Sequence, residues 1–464
     1  MADPLWTAQE IARATGGQVQ GDFAVQGVSI DTRSVEPGDL FVALSGVRDG
    51  HDFVAQALAA GASGALVSRA VDGPWVQVAD TLRGLEDLGM AARDRARQAL
   101  RGAVTGSVGK TSVTQAIASG LALAGPSHTS VKSYNNHIGV PLTLARMPRA
   151  TRRAIFEIGM NHPGEIAPLS QMVQPHVAVI TTVGPVHVEN FPDGEAGVVR
   201  AKAEIFEGMA AGGIAVLNAD NAWFETLRDS ALGRGLQVHS FGRQADCRAQ
   251  LVDFQVEAGL ARVKARFDGR ELAFSLRQTG GHWGLNAMAV LLMLEALKVE
   301  TATGLAALEA FEPLAGRGAE RRVGGPAGDF TLIDESYNAN PISMAATIGS
   351  LGARKTSGRR LVVLTDMLEL GEAAASYHAD LAPLLDAAGI DRVYCAGPLM
   401  KFLWEALPST RRGGYAEQAA DLAPQVARDL EPGDLVMVKG SNGSRAGVVV
   451  TALLALDPGS GGRV

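Results

Sequence analysis

The sequence contains few cysteines, no surplus of positive charge and no long apolar run. Only two of its 464 residues are cysteines, and Cys247 and Cys395 lie far apart with no C-x-x-C spacing. We therefore expect two reduced structural thiols, in keeping with a reducing cytosol, and neither a disulfide nor a thiolate metal site. The formal net charge of −7 leaves no basic surplus for a phosphate backbone, which argues against nucleic-acid binding.

Segments that would direct the chain to a membrane are also missing from the pattern. Residues 1–6 do not combine a charged region with an apolar core, as a signal peptide would. The longest apolar helix candidate, residues 286–299, is interrupted and too short to span a bilayer. We expect no export, no membrane insertion and a cytoplasmic location.

The residues that are present predict a multidomain α/β protein. An apolar content of 47% is enough for substantial cores, and the length corresponds to about three domains. We expect a small α/β substrate domain over residues 1–99, a central P-loop mononucleotide-binding α/β domain over residues 100–315, and a C-terminal Rossmann-like α/β domain over residues 316–464. Glycines clustered over residues 316–328 predict a hinge.

Hydrophobic periodicity supports this division. The first domain has a strand-like run at residues 40–44 and an Arg-rich amphipathic helix at residues 81–100. The second has apolar strands at residues 176–184 and 213–219, then alternating hairpin-like runs over residues 249–278. In the third, strands alternate with Ala/Leu-rich helices, which predicts βαβ units around a parallel sheet. Its predicted strands are residues 331–334, 361–365, 392–396 and 435–438.

The most informative motif is T-G-S-V-G-K-T-S, which lies between an apolar run and a helical one. Glycines let backbone N–H groups approach a β-phosphate, Lys110 neutralises β/γ charge, and the Thr111 hydroxyl can ligate Mg²⁺. The motif indicates ATP. The general pattern has glycine where this chain has Val104, so an ordinary glycine-rich turn is the alternative. The predicted phosphate loop comprises Thr105, Gly106, Ser107, Val108, Gly109, Lys110, Thr111 and Ser112.

Three further residues follow predicted strands or open a helix. Glu157 closes an apolar strand and could complete a Mg²⁺ shell with Thr111, or it could be an ordinary strand-end carboxylate. His187 follows a Gly-Pro turn, where a lone histidine is more often a satisfied surface residue. Lys202 lies at the start of a predicted helical segment, and a lone lysine in a helix is usually a solvated charge.

In this order and spacing, the segments resemble the Mur ligase family almost from end to end. The loop at residues 105–111 matches that family's T-G-x-x-G-K-[ST], in which glycine is not required at position 104. The resemblance continues in N-N-H-I-G-V-P at 135–141, E-I-G at 157–159, G-P-V-H-V-E at 184–189, A-K-A-E-I-F at 201–206, L-N-A-D at 217–220, G-H-W-G-L-N-A at 281–287 and G-R at 316–317.

Motifs at the two ends of the chain look like one branch of that family, the branch that adds D-alanyl-D-alanine. These motifs are D-T-R at 31–33, P-G-D-L-F-V-A-L at 37–44, S-Y-N-A-N-P-I-S-M at 336–344, D-M-L-E-L-G at 366–371 and V-K-G-S at 438–441. The resemblance implies an ATP-dependent C–N ligation of D-Ala-D-Ala to UDP-MurNAc-tripeptide through an acyl phosphate, in cytoplasmic peptidoglycan precursor synthesis, by a monomer.

The resemblance also implies roles for individual residues. Catalysis falls to Lys110, Glu157, His187 and Lys202. One Mg²⁺ would be held by Thr111 and Glu157, and a second by His187 and a CO₂-derived carbamate on Lys202. The nucleotide would also contact Asn286, Arg317, Glu335 and Tyr337. The substrate-binding residues would be Asp31, Thr32, Arg33, His51, Asn135, Asn136, Asn338, Asn340, Lys439 and Ser441.

The chain differs from the family pattern at four positions. Thr182 stands where asparagine is usual, Glu335 where this branch has a second aspartate, and Thr365 where glycine is common. Asn442 follows the V-K-G-S run. None of these positions belongs to the implied metal set.

Three other functions compete with this interpretation. A sister ligase that adds a diamino acid would carry a D-N-P-R string, whereas this chain has N-A-N-P at residues 338–341. A folylpolyglutamate synthase-like ligase would not need the N-terminal D-T-R and P-G-D-L-F motifs. A nucleotide-sensing P-loop switch without ligation would have no use for Glu157, His187 and Lys202.

Overall fold

The computed structural model describes residues 3–131, 133–186, 188–257 and 259–457. Its strands form a five-stranded, a nine-stranded and a six-stranded sheet that follow one another along the chain, with a two-stranded ribbon near the N-terminus. The three-part α/β architecture expected from the sequence is confirmed. In the described ranges, no helix combines the length and the apolarity that crossing a bilayer would require.

The N-terminal part is a small α/β unit. Its sheet has the order β2-β7-β6-β5-β4, in which β4 to β7 are parallel and β2 is antiparallel, while β1 pairs with β3. The strands are β1 (Trp6–Thr7), β2 (Gln18–Gln20), β3 (Ala24–Val25), β4 (Gly27–Ser29), β5 (Asp39–Val42), β6 (Gly64–Val67) and β7 (Trp75–Gln77). The helices are α1 (Ala8–Thr15), α2 (Val54–Ala59) and α3 (Thr81–Arg95).

The central part is built on the nine-stranded sheet. Its order is β16-β15-β14-β13-β12-β11-β8-β10-β9, parallel from β9 to β14 and antiparallel at the other edge, as the hairpin-like pattern predicts. The strands are β8 (Leu100–Thr105), β9 (Ser127–Thr129), β10 (Arg153–Glu157), β11 (Val177–Ile180), β12 (Ile214–Asn218), β13 (Gln237–Gly242), β14 (Ala249–Glu257), β15 (Leu260–Phe267) and β16 (Arg270–Leu276). The helices are α4 (Lys110–Leu123), α5 (Gly139–Ala145), α6 (Ile166–Val173), α7 (Glu195–Ala203), α8 (Phe224–Leu232), α9 (His282–Ala296) and α10 (Thr301–Ala310).

The C-terminal part has the order β17-β18-β22-β19-β20-β21, with only the β17–β18 pair antiparallel. The strands are β17 (Ala319–Gly325), β18 (Gly328–Glu335), β19 (Arg360–Thr365), β20 (Arg392–Ala396), β21 (Arg412–Ala416) and β22 (Leu435–Lys439). The helices are α11 (Pro341–Gly352), α12 (Ala374–Ala379), α13 (Leu381–Ala387), α14 (Met400–Ala406), α15 (Ala419–Asp429) and α16 (Gly447–Leu454).

The expectation of a glycine hinge over residues 316–328 is wrong for most of that stretch. Residues 319–325 form β17, which pairs with β18 from Ala319↔Asp334 to Gly325↔Gly328. The hairpin closes at Gly328, which has φ +133°. Glycine content alone did not distinguish a hinge from an edge strand, because β17 has no strong apolar alternation.

Continuous apolar strands explain why the central sheet is covered on both faces. Every residue of β11 is buried, as is normal for parallel strands with helices on both sides. Helix α9 is apolar nearly all round and packs with α4 and α10 against one face. This leaves the carboxyl ends of the parallel strands as the open edge, where ligands bind in such sheets.

Contacts tie the central part to the C-terminal part on two sides of that edge. The N–H of Gly281, just before α9, donates to the Oγ of Ser350 in α11 at 3.0 Å. A Cβ at Gly184 would lie 1.9 Å from Cδ1 of Ile342, so a larger residue there would displace the Ile342 side chain. The C-terminal sheet therefore faces the open edge of the central sheet across a narrow gap.

Candidate active site

The phosphate-loop motif follows β8 and leads into α4, as predicted. Gly106 has φ +143°, and a Cβ there would lie 2.0 Å from Oγ1 of Thr181. Gly109 has φ +86° and precedes α4 directly, so the backbone reaches the helix N-terminus through a left-handed residue. The N–H groups of the first turn of α4 are thus available to an anion at the positive end of the helix, whereas the N–H of Ser107 is already donated to the carbonyl oxygen of Thr182.

Lys110 lies at the start of α4 beside the loop. Its Nζ donates to the carbonyl oxygen of Gly106 at 2.8 Å. Burial lowers the pKa of Lys110; the carboxylate of Glu157 opposes this shift and the Arg317 guanidinium reinforces it. Lys110, Glu157 and Arg317 are therefore close enough to interact electrostatically, although they come from three separate segments.

Two oxygen groups lie next to the phosphate loop. The hydroxyl of Thr111 is 2.9 Å from that of Ser133. Glu157 ends β10, is 2% exposed, and accepts a hydrogen bond from Nδ2 of Asn135 at 2.7 Å. Sequence reasoning named Asn135 but missed Ser133, whose position in a loop after β9 carries no sequence signal of its own.

Lys202 lies in the last turn of α7 and is 2% exposed, so the interpretation as a solvated charge does not hold. In the described ranges its Nζ has no hydrogen-bond acceptor or ion-pair partner. Burial and the positive charge of Lys110 hold the pKa of Lys202 well below its ordinary value, against the opposing charge of Glu204.

Glu204 is the carboxylate closest in sequence to Lys202, and its oxygens are already engaged. They accept the backbone N–H groups of Gly164, Ile166 and Ala167 at 2.7 to 3.1 Å, and so satisfy the beginning of α6. Among the described residues, Glu204 therefore forms no ion pair with Lys202. His187, predicted beside it, lies outside the described residues.

The C-terminal part supplies the opposite wall. The Arg317 guanidinium stacks over the Tyr337 ring, 4.0 Å from its centroid. Lys439 is 2% exposed; its Nζ donates to the carbonyl oxygen of Asn338 at 3.1 Å and lies 3.5 Å from Oε2 of Glu335. The stacked guanidinium and phenol ring suit a planar ligand ring, and the buried cation of Lys439 suits an anionic group.

Two predicted substrate residues also complete helices. Asn340 begins α11, and its Oδ1 accepts the N–H of Ser343 at 2.9 Å in a capping box. Asn136 lies three residues before α5, without a capping box, and its Oδ1 accepts the N–H of Gly139, the first residue of that helix, at 2.9 Å. Each side chain thus has a structural partner in addition to any substrate role.

One cavity of about 500 Å³ joins these features. Lining residues from the central part include residues 107–112 of the phosphate loop, Glu157 and Asn286, but not Thr105 or Gly106. Those from the C-terminal part include Arg317, Glu335, Tyr337, Asn338, Asn340 and Lys439. Ser441 does not line it, but its hydroxyl donates to Ala339 at 3.3 Å, between two lining residues.

The four predicted residues of the N-terminal part form a separate group. Arg33 is bound by both carboxylate oxygens of Asp31, and Thr32 lies between them in a 3₁₀ turn. His51 is buried, 2.6 Å from Oδ1 of Asp49, and its Nε2 accepts the N–H of Ser68 at 2.8 Å. None of the four lines the cavity.

Thr182, one of the positions that differ from the family pattern, has a local partner. Its Oγ1 accepts from Nδ2 of Asn221 at 2.9 Å, and the same amide donates to the carbonyl oxygen of Val183 at 2.8 Å. This bond fixes the segment after β11 that approaches the phosphate loop, where the N–H of Ser107 donates to the carbonyl oxygen of Thr182 at 2.8 Å.

Comparison with known proteins covers nearly the whole chain. Family models described as Mur ligase family, catalytic domain; Mur ligase middle domain; and Mur ligase, glutamate ligase domain match residues 24–87, 104–294 and 321–442. The UDP-N-acetylmuramoyl-tripeptide–D-alanyl-D-alanine ligase of Escherichia coli is 33% identical over 96% of this chain and 98% of its own length.

Two solved structures extend the likeness to three dimensions. MurF from Acinetobacter baumannii is 29% identical, with a TM-score of 0.86 over 98% of this chain and 99% of its own. MurF ligase from Thermotoga maritima, in complex with ADP, is 25% identical, with a TM-score of 0.78 over 93% of this chain and 97% of its own. The motifs, the three-part fold and these matches together show that the chain belongs to the Mur ligase family.

Proposed function

We propose that the chain joins D-alanyl-D-alanine to UDP-MurNAc-tripeptide with hydrolysis of ATP to ADP and phosphate, as a cytoplasmic monomer in peptidoglycan precursor synthesis. One observation carries this proposal. A phosphate loop and the N-A-N-P segment at residues 338–341 line the same cavity from two different parts of the chain. A nucleotide on one wall and an incoming amine on the other would meet there.

The chemistry follows from the charges in the cavity. The tripeptide's terminal carboxylate would attack the γ-phosphate of ATP and form an acyl phosphate, with ADP as the leaving group. The amine of the dipeptide would then add to the acyl carbon, and phosphate would leave. Since the first step brings like charges together, Lys110 and Arg317 would contribute by neutralising them.

The residues around the phosphate loop fit Mg²⁺. Their donor atoms are oxygens, from Thr111, Ser133 and Glu157, and Mg²⁺ typically combines one or two protein ligands with phosphate oxygens and water. In the described ranges, no group of three or more His, Cys, Asp or Glu side chains could hold a metal by itself. When bound, Mg²⁺ would polarise the γ-phosphate and offset its charge.

We include a carbamate on Lys202 in this proposal. A buried amine beside Lys110, with no acceptor in the described ranges, is unfavourable as an ammonium and reactive as a neutral amine. Addition of CO₂ to the neutral amine, with loss of one proton, gives an anionic carbamate that would complement Lys110 and ligate a second Mg²⁺ with His187.

The N-terminal part would bind the UDP end of the muropeptide. Asp31, Thr32, Arg33 and His51 are the candidates, and Arg33 is the exposed cation among them. Its guanidinium can exchange the carboxylate of Asp31 for a diphosphate with the same forked geometry. Asn286, Glu335 and Tyr337 would hold the nucleotide, and Asn135, Asn136, Asn338, Asn340, Lys439 and Ser441 would lie along the peptide path.

The rival functions lead to different substrates. A diamino-acid ligase needs a pocket for a second charged group, and the N-A-N-P segment offers two amides, of which Asn340 already caps α11. A P-loop switch would not bury Lys202 beside Lys110. The fold by itself does not discriminate among ligases of different substrates, because one fold can carry many functions.

A substrate matrix tests the proposal. Phosphate release is measured with ATP, UDP-MurNAc-tripeptide and D-Ala-D-Ala, each omitted in turn, and with free diaminopimelate or glutamate in place of the dipeptide. We expect turnover only with all three substrates. Turnover with diaminopimelate, or with neither co-substrate present, would contradict the proposal.

A further inference from the structure

The L-N-A-D motif at residues 217–220 has no part in the chemistry proposed above. It spans the end of β12 and opens the turn at residues 218–223, which we call the 218–223 turn. In the central sheet β11 lies between β8 and β12 and is parallel to both, so the three strands end at one edge. Residues 181–184, the 181–184 segment, therefore lie between the phosphate loop that follows β8 and the 218–223 turn.

Thr181 binds the phosphate loop through its backbone and its side chain. Its N–H donates to the carbonyl oxygen of Thr105 at 3.0 Å, and its hydroxyl donates to the carbonyl oxygen of Val108 at 2.5 Å. Thr181 is 4% exposed, so these bonds are largely shielded from water. A carbonyl oxygen left free in such a loop could face a bound phosphate and repel it, whereas an engaged one leaves the N–H groups to face the anion.

Ser107, inside the phosphate loop, forms a second set of bonds to the 181–184 segment. Its N–H donates to the carbonyl oxygen of Thr182 at 2.8 Å. Its hydroxyl donates to the carbonyl oxygen of Gly184 at 3.1 Å and accepts the N–H of Gly184 at 3.2 Å. Ser107 is also 4% exposed. Any displacement of the 181–184 segment would therefore strain or break buried hydrogen bonds of the loop.

Asn221, in the 218–223 turn, holds the 181–184 segment from the other side. Its Nδ2 donates to Oγ1 of Thr182 at 2.9 Å and to the carbonyl oxygen of Val183 at 2.8 Å. Its Oδ1 accepts the N–H of Trp223 at 3.0 Å. Both N–H groups and the oxygen of the amide are thus engaged, so the conformation of the Asn221 side chain is fixed.

The 218–223 turn also contacts the helix that carries Lys202. Nε1 of Trp223 donates to Oε1 of Glu195 at 2.8 Å. Glu195 is the first residue of α7, and Lys202 lies in the last turn of that helix. One turn therefore bonds to the 181–184 segment through Asn221 and to α7 through Trp223.

We propose that Asn221 is a positioning residue for the phosphate loop, which it holds in its binding conformation through the 181–184 segment. This inference rests on the proposed function, because it concerns the nucleotide site of that reaction. Among the described residues that line the cavity, Asn221 is not included, so it acts through Thr182 and Val183 rather than by touching ATP. A loop fixed before binding loses less conformational freedom when ATP binds, so the affinity for the nucleotide is higher.

Titration with ADP and Mg²⁺ tests this inference without the ligation reaction. Asn221→Asp keeps the shape of the side chain but replaces its N–H donors by a carboxylate oxygen next to the carbonyl oxygen of Val183. We expect the Kd for ADP and the KM for ATP to rise about fivefold, the factor for one lost hydrogen bond of typical strength. The KM values for the UDP-muropeptide and the dipeptide should stay within about twofold.

Gln244→Glu is the matched control. Nε2 of Gln244 donates to the carbonyl oxygen of Ala219 at 3.2 Å, in an exposed hydrogen bond to the same 218–223 turn. The substitution makes the same change from amide to carboxylate, and no hydrogen bond of the Gln244 side chain in the described ranges reaches the 181–184 segment. It should leave the Kd for ADP unchanged. An equal rise of Kd in both variants would assign the effect to added negative charge and would overturn the inference.

Thr182 allows a second test of the same hydrogen bond. Thr182→Val removes the acceptor of the Asn221 amide at nearly constant volume, and Thr182→Ser keeps it. We expect the Kd for ADP to rise about threefold in Thr182→Val and to stay near the wild-type value in Thr182→Ser. The double variant Thr182→Val/Asn221→Asp should bind ADP about as weakly as Asn221→Asp, since both residues act through one bond. A loss equal to the product of the two single losses would contradict the inference.

The outcomes separate the inference from the proposed function. Unchanged affinity for ADP in a folded Asn221→Asp variant overturns the inference alone. If that variant does not fold, as judged by circular dichroism, the Thr182→Val and Thr182→Ser pair decides by the same titration. A wild-type enzyme that binds ADP but does not join the dipeptide contradicts the proposed function alone.

Discussion

Two buried lysines, Lys439 in the C-terminal part and Lys202 in the central part, differ in their partners. Lys439 and Lys202 are each 2% exposed, and burial lowers the pKa of both. Lys439 has Glu335 and the carbonyl oxygen of Asn338 within reach, whereas Lys202 has no such partner in the described ranges and is repelled by Lys110. A buried cation is stabilised by the acceptors around it, whereas a buried amine without acceptors is free to react.

Replacing Lys202 should have the largest effect. We expect Lys202→Ala to lower kcat on the order of 10³-fold, because an electrostatic group aimed at the phosphates would be lost. ATP should still bind through the phosphate loop, as measured by nucleotide titration. A short carboxylic acid, added in excess, should restore part of the turnover by occupying the place of the carbamate.

Near-normal kcat in Lys202→Ala would remove the distinction between the two lysines. Lys202→Arg provides the control for positive charge alone. It keeps a cation at this position but cannot form a carbamate, so it should be as inactive as the alanine variant.

Breaking the other lysine's pair should instead cost stability. Lys439→Met leaves the carboxylate of Glu335 partly buried without its cation, and we expect the free energy of unfolding to fall by about 3 kcal/mol. Denaturant unfolding followed by circular dichroism measures this loss. The double variant Lys439→Met/Glu335→Gln should recover much of it. An equal loss in the double variant would mean that packing of the Lys439 stem, rather than the pair, is responsible.

The pH dependence should also separate the two lysines. Since the pKa of Lys202 is held well below its ordinary value, its neutral amine persists to lower pH than that of an ordinary lysine. Lowering the pH protonates it and prevents addition of CO₂, so activity should fall on the acid side and should also fall after CO₂ is removed. Bicarbonate should restore the degassed enzyme.

The rescued Lys202→Ala variant is the control for this experiment. Its turnover depends on the added acid and should not respond to bicarbonate. A wild-type enzyme that is indifferent to CO₂ across the pH range would argue that Lys202 acts unmodified.

An exposed cation gives the smallest expected effect on stability. Arg33 is paired with Asp31 but its side chain is 86% exposed. Arg33→Ala should leave the free energy of unfolding nearly unchanged, because exposed ion pairs contribute little, while raising the KM for the UDP-muropeptide and leaving the KM values for ATP and dipeptide nearly unchanged. Arg83→Ala, which removes an exposed pair with Glu86 on α3, is the control for an ordinary surface ion pair.

Local sequence patterns predicted the parts of the fold that depend on local forces. The phosphate loop carries a recognisable sequence motif, the buried strands of the central sheet are apolar runs, and its antiparallel edge shows apolar/polar alternation. Each was found where it was expected. Strand β17 was missed because an edge strand with glycines and arginines lacks alternation. The resemblance to a family supplied the role of Lys202, which nothing in its immediate neighbours indicates, whereas the place of Glu157 at the end of an apolar strand had already made it a candidate.

Tertiary contacts account for what the sequence could not show. Ser133 contacts Thr111 only because two loops converge. Asn340 both caps α11 and lines the cavity, and this depends on where α11 packs. The burial of Lys202 arises from packing of α7, so a pattern that describes a solvated helix residue gave the wrong environment. The predicted domain boundaries and the roles of individual residues stay predictions.

The hydrogen bond between Gly281 and Ser350 links the central and C-terminal parts, and its exchange with solvent should report opening of the gap between them. Helix α9 carries Asn286, and its N-terminus receives a cap from a different part of the chain. Any opening of the gap leaves that amide without its acceptor and exposes it to solvent. Deuterium uptake at the Gly281 amide should therefore slow when bound substrates hold the two parts together. This single backbone amide would then measure the fraction of time that the enzyme spends in the closed state.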